Sequence, residues 1–106
     1  GADVNKIGYE ECTPIMYEVY MNNMDNVEFL LSVGADVNYQ RNLDGYTSLH
    51  WAAQKSDLKM IKLLLDSGAQ TEIKNTNGQT AMDLAKQRGD DEVLELLQKA
   101  GSKQHL

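Results

Sequence analysis

Cysteine, proline, phenylalanine and tryptophan each occur once among these 106 residues. A lone Cys12 can form no intramolecular disulfide and supplies no cysteine-rich zinc site. With no Asn-X-Ser/Thr acceptor anywhere, it points to a reducing, intracellular setting, cytoplasmic or nuclear. No apolar run approaches the roughly 18 residues that a membrane helix needs, so no membrane insertion is expected. The opening residues are polar and acidic and do not read as a secretory leader. Positive charge is scarce: 10 Lys and Arg stand against 16 Asp and Glu, a net charge of −6. That balance argues against binding nucleic acid or an anionic membrane surface. Catalytic signatures are missing too, with no Gly-rich phosphate loop, no H-E-x-x-H and no G-x-S-x-G. The segment "KNTNGQT" has the flavour of a calcium loop but carries no acid at its first or twelfth loop position. Neither a metal nor a cofactor is expected, and no catalytic residue is assigned.

What the chain does have is repetition. The pentapeptide GADVN fills residues 1–5 and recurs at 34–38. Gly34-Ala35 is followed by Gly68-Ala69, and Thr13 by Thr47 and Thr80. Leu30-Leu31, Leu63-Leu64 and Leu96-Leu97 are each 33 apart. The single extra residue falls between Asn38 and Thr47, in "YQRNLDGY", where a loop tolerates an insertion. The middle unit displays the internal grammar. Asp44-Gly45 is a tight-turn signal, and Thr47 can cap the short helix "SLHWAAQK". Ser56-Asp57 breaks and recaps the chain before "LKMIKLLLDS", whose Leu58, Ile61 and Leu65 share a helical face widened by Met60, Leu63 and Leu64. Gly68 ends that helix. Neither helix is long enough to be stable alone in water, so the units must lean on one another.

The frame "DG-x-T-x-L-H-x-A-A … LLL-x-x-GA" resembles the ankyrin repeat, with the best match at Asp44, Gly45, Thr47, Leu49, His50, Ala52, Ala53, Leu63, Leu64, Gly68 and Ala69. The resemblance implies an all-α ankyrin-repeat solenoid, with turn–helix–helix units of 33–34 residues stacked behind protruding β-turn tips. It divides the single domain 1–106 into the end of an upstream repeat (1–5), repeats at 6–38 and 39–72, a C-terminal capping repeat (73–101) and a frayed tail (102–106). In the last repeat Asp83 replaces the motif histidine, while Lys86, Asp91 and Gln98 replace apolar residues; a terminal repeat needs such a polar outer face. Asp90, Asp91 and Glu92 suit the start of its second helix. The first repeat departs otherwise, with Glu11 for the turn glycine, Met16 for the histidine and Glu18 for the first alanine. Thr13 is expected to cap its first helix, with Pro14 in the first turn. Glu18 is expected at an edge that reaches water, or in a site whose partner is missing, since a buried unpaired carboxylate is costly. The repeat is rich in large side chains, and the opening pentapeptide reads as the tail of a repeat. The expectation is therefore the C-terminal end of a longer array.

Function follows from the resemblance. In ankyrin arrays binding residues sit on turn tips and on the concave side of the first helices. Carried onto this chain, the tips offer Tyr9, Leu43, Tyr46 and Gln79; the first helices offer Tyr17, Tyr20, Met21, Trp51, Gln54, Lys55, Gln87 and Arg88. Aromatic side chains are enriched in binding hot spots. Trp51 and Tyr17 serve equally well as packing between neighbouring helices. The implied function is a non-enzymatic protein–protein interaction module. The rival is a regulatory or substrate-recruiting region of a larger enzyme, channel or ligase subunit. The acidic balance leans the protein partner toward a basic or apolar segment. His50 is expected to order the turn by hydrogen bonding rather than to catalyse. Ankyrin loops also resemble substrates of an asparaginyl hydroxylase, and Asn38, with Leu30 eight residues before it and Asp36 two before, is the candidate for hydroxylation.

Overall fold

The computed structural model describes Asn5 and residues 12–104. Six helices follow one another: α1 Pro14–Tyr20, α2 Met24–Ser32, α3 Ser48–Lys55, α4 Leu58–Asp66, α5 Ala81–Arg88 and α6 Asp91–Gln104. No strand occurs among the described residues. Each repeat is an antiparallel pair, α1 with α2, α3 with α4 and α5 with α6. The first helices stack α1 on α3 on α5, and α4 packs on α6 behind them. This is the all-α ankyrin-repeat solenoid that the repeated motif implies.

The sequence patterns explain the elements. In α4, Met60, Ile61 and Leu64 are fully buried, while Leu58, Leu63 and Leu65 flank them partly buried. Leu49, Ala52 and Ala53 of α3 and Ala81 and Ala85 of α5 form the seam between first helices, where small side chains let the backbones approach. Val27, Val93 and Leu97 close the core from α2 and α6. Thr47 accepts the His50 N–H at 3.3 Å, and Thr80 accepts the Asp83 N–H at the same distance. The recap works as well: Ser56 turns left-handed at φ 58°, and Asp57 accepts the Met60 N–H at 3.2 Å.

Two expectations are corrected, and the one for Glu18 is narrowed to an edge that reaches water. Thr13 precedes α1 but makes no side-chain cap bond, and its buried hydroxyl has no partner. The reciprocal bond of the capping box is missing as well. His50 and Asp83 each return a bond to the N-cap backbone in their helices, and Met16 has no acceptor with which to do so. Glu18, in turn, has partners within the chain. It is half-buried, and its carboxylate accepts from Asn23 Nδ2 at 2.7 Å and Asn26 Nδ2 at 3.1 Å. The other correction concerns residues 102–104, which continue α6 rather than forming a tail.

The loops explain why α6 runs on. α2 and α4 stop at Gly34 and Gly68, whose φ values of 97° and 95° need a residue without a side chain. Each of those loops is pinned by the preceding one. Asn5 Nδ2 donates to Gly34 O at 3.3 Å, and its Oδ1 accepts the Asp36 N–H at 2.7 Å. Asn38 repeats the pattern, reaching Gly68 O at 3.2 Å and the Gln70 N–H at 2.8 Å. At the corresponding place in the third loop stands Glu72, whose carboxylate has no N–H to give. Gly101 takes no left-handed turn there, and the helix passes through it to Gln104.

Candidate functional site

The site begins with the extra loop residue. In the third repeat, Asn75 N–H bonds Gln79 O at 2.9 Å, closing a turn over three residues. In the second, Arg41 N–H bonds Tyr46 O at 3.1 Å, closing a turn over four. Arg41 thus occupies the backbone place of Asn75. Asn75 steadies its own turn by accepting the Asn77 and Gln79 N–H groups. Arginine cannot accept, so Asp44 takes over by accepting the Tyr46 N–H at 3.0 Å. Asp44 also receives a two-pronged bond from Arg41, Nε to Oδ1 at 2.8 Å and Nη2 to Oδ2 at 2.7 Å. Arg41 is only 8% exposed. Its third contact is Nη1 to Cys12 Sγ at 3.3 Å, and its plane lies 4.7 Å from the centre of the Trp51 ring.

An aromatic cluster grows from there. Tyr20 meets Trp51 edge-on with centroids 4.7 Å apart, and Tyr46 meets it edge-on at 6.3 Å. These geometries suit ring quadrupoles. Lys55, one turn after Trp51 on α3, places its ammonium 4.3 Å from the centre of the Tyr20 ring. Together with Tyr17, Gln54 and Asn77 these residues line a groove of about 690 Å³ between the first helices of two repeats and the turn tips, that of the third repeat included. Adjacent tips are locked together: Thr76 N–H donates to Asp44 O at 3.0 Å, and Gln40 Nε2 to Lys74 O at 2.6 Å. Gly45 is required at that junction. Its φ is 74°, and a Cβ there would lie 2.7 Å from Thr76 N.

The charges in the site are held by their neighbours. Burial alone would push the Asp44 carboxyl up, but the hydrogen bonds from Arg41 and the Tyr46 N–H outweigh it and hold the group below its ordinary range. The Asp44 hydrogen bond, against the opposing effect of burial, raises Arg41 further, so the pair is fully ionised at any physiological pH. Beneath the groove, His50 Nδ1 accepts the Thr47 N–H at 3.1 Å, which leaves Nε2 protonated to donate to Gln79 O at 2.9 Å. Burial pushes its pKa below the usual histidine value. Its structural role thereby extends across the boundary between repeats.

The expected binding residues divide. Tyr17, Tyr20, Tyr46, Trp51, Gln54 and Lys55 come together in the groove. Met21 and Leu43 are exposed outside its wall, Gln87 and Arg88 lie further along the stack, and Tyr9 falls outside the described residues. Gln79 is committed to structure, since its Oε1 accepts from Asn75 and its carbonyl from His50. Trp51 does both jobs, packing against the core on one side and facing the groove on the other. Asn38 has its amide engaged at both ends, as above. Arg41 is absent from the sequence-based set. Its signal was the inserted residue, which read only as loop tolerance. Among the described residues no group of three or more His, Cys, Asp or Glu could hold a metal ion, and no helix is long and apolar enough to cross a membrane.

Comparison with known proteins agrees with the geometry. The chain is 38% identical over 56 residues to mouse ankyrin repeat domain-containing protein 40, an alignment covering 53% of this chain and 15% of that protein. It is 47% identical over 53 residues to chicken inversin, covering 50% of this chain and 5% of that one. It is 33% identical over 76 residues to the mouse B-cell lymphoma 3 protein homolog, covering 71% and 17%. The chain thus spans a small fraction of the length of these relatives. A family model described as ankyrin repeats (3 copies) matches residues 15–106. With its paired helices, stapled turn tips and capping boxes, the chain belongs to the ankyrin-repeat family.

Proposed function

We propose that this chain is a non-enzymatic interaction module that holds a segment of a protein partner in the groove between its first helices and turn tips. Ankyrin repeats are in general protein–protein interaction modules, and the finer reading rests on the groove. Its half-exposed Tyr17 and Tyr20, with Trp51 and Tyr46 behind them, offer apolar area, and Tyr20, Trp51 and Tyr46 are already ordered by ring-to-ring packing. Pre-ordered aromatic surface binds at a low entropic cost. Among the described residues that line the groove the one carboxylate, Asp44, is held by Arg41.

A second reading, in which the module serves as the recruiting region of a larger enzyme, channel or ligase subunit, draws on the small share of each relative that the chain spans. Both readings need the groove to bind. Pull-down of protein partners from cell extract with the wild-type chain and with a Tyr17→Ala/Tyr20→Ala variant tests this. Loss of those partners to about a tenth or less is expected, each hot-spot side chain carrying about 1–2 kcal/mol. Equal recovery by a variant whose circular dichroism is unchanged would refute the groove as the binding surface.

A further inference from the structure

We infer that the partner segment is acidic: a carboxylate beside an apolar or aromatic side chain, the carboxylate meeting Lys55 and the apolar group lying on Tyr20 and Trp51. This rests on the groove being the binding surface. The net charge of −6 taken over the whole chain favours a basic partner, but the described residues that line the groove have the opposite balance. Of its lining residues, Arg41 and Asp44 cancel as a bidentate pair. Lys55 remains, exposed and without an ion pair among the described residues. Asp57, beside it in the neighbouring concavity, is turned to its own helix as a cap. Arg88 lies beyond, against the acidic start of α6, and contributes less.

The aromatic faces point the same way. Rings attract cations, yet Arg41 already covers Trp51 and Lys55 already covers Tyr20. A lysine or arginine arriving at either of these two rings would have to displace one cation and sit beside the other. An incoming carboxylate displaces nothing. The Tyr20 ring holds the Lys55 ammonium at the mouth, so a flexible side chain is partly ordered before the partner arrives. The rest of the lining supplies donors: the hydroxyls of Tyr17, Tyr20 and Tyr46 and the amides of Gln54 and Asn77.

Panning a random-peptide display library against the folded chain tests the inference. Enriched peptides should place Asp or Glu next to Leu, Phe or Trp. A fluorescein-labelled synthetic copy, measured by anisotropy, should lose affinity at least about tenfold in Lys55→Glu and weaken as salt is raised. Panning the Lys55→Glu variant should select basic peptides instead. Lys55 is exposed, so the variant folds as the wild type does by circular dichroism. Basic or uncharged peptides that still need Tyr20 would overturn the inference and leave the groove standing. So would acidic peptides indifferent to Lys55→Glu. No enrichment, or peptides indifferent to Tyr20→Ala, would defeat the groove reading and the inference with it.

Discussion

At the scale of single residues, His50 joins two backbone segments through its two ring nitrogens. Its Nδ1 must be bare to accept the Thr47 N–H, and its Nε2 must be protonated to reach Gln79 O. Only one neutral tautomer satisfies both, and burial depresses the pKa accordingly. The sign is then fixed. The unfolded chain, with a histidine pKa of about 6.5, takes up a proton before the folded one does. His50 therefore contributes its full stability above about pH 6.5, and this is lost as pH falls through the lower folded value. Urea unfolding between about pH 7.5 and 5 should show stability declining toward acid. In His50→Gln, whose amide can keep the capping box without titrating, that slope should flatten. A slope unchanged in the variant would place the acid sensitivity elsewhere. Asp44 adds no slope in that window, because its depressed carboxyl stays ionised throughout.

At the scale of elements, the helices were largely legible and the loops were not. "SLHWAAQK" reads as a helix and is α3 residue for residue, because a capping threonine, a breaking Ser-Asp pair and an apolar stripe all agree. What could not be read was the price of altering one member of a cap. Met16 looks like a harmless apolar exchange, yet it cannot return the bond that His50 and Asp83 give their caps, and the Thr13 hydroxyl beside it is buried without a partner. Arg41 was illegible for a different reason. Its value comes from Trp51, ten residues on, and from a turn lengthened by one residue, neither of which leaves a periodic trace. Ser48 offers a test at this scale. It opens α3, is fully buried, and its hydroxyl has no partner. An N–H in a first helical turn has no intrahelical acceptor. Thr47 before it is extended at φ −104° and ψ 173°, which a following proline tolerates, and Pro14 already holds the matching place in α1. Ser48→Pro should stabilise the fold by about 0.4–1 kcal/mol, raising Tm by about 2–8 °C in calorimetry. A lower Tm would mean that the ring does not fit the seam.

At the scale of the whole molecule, each repeat contacts only its neighbours, so stability is a sum of local terms and interface terms. The asparagine staples belong to the second kind. Asn38→Asp keeps the shape of the side chain and its acceptor oxygen but removes the donor to Gly68 O, placing a carboxylate against a carbonyl. The loss should be about 1–3 kcal/mol in urea unfolding, with faster amide exchange around Gln70. Unchanged stability would show the staple to be an effect of the stack and not a cause.

The staple also has a direction. Each asparagine reaches toward the next loop and is itself reached from the one before, in the manner of a subunit with a head and a tail. The staple needs an amide on the side chain that reaches forward. Asn5 and Asn38 present one, and Glu72 presents an oxygen in its place. The exchange of one nitrogen for one oxygen thus ends the run of staples. Past Glu72 the rule that built the preceding turns no longer applies, and a helix carries on instead.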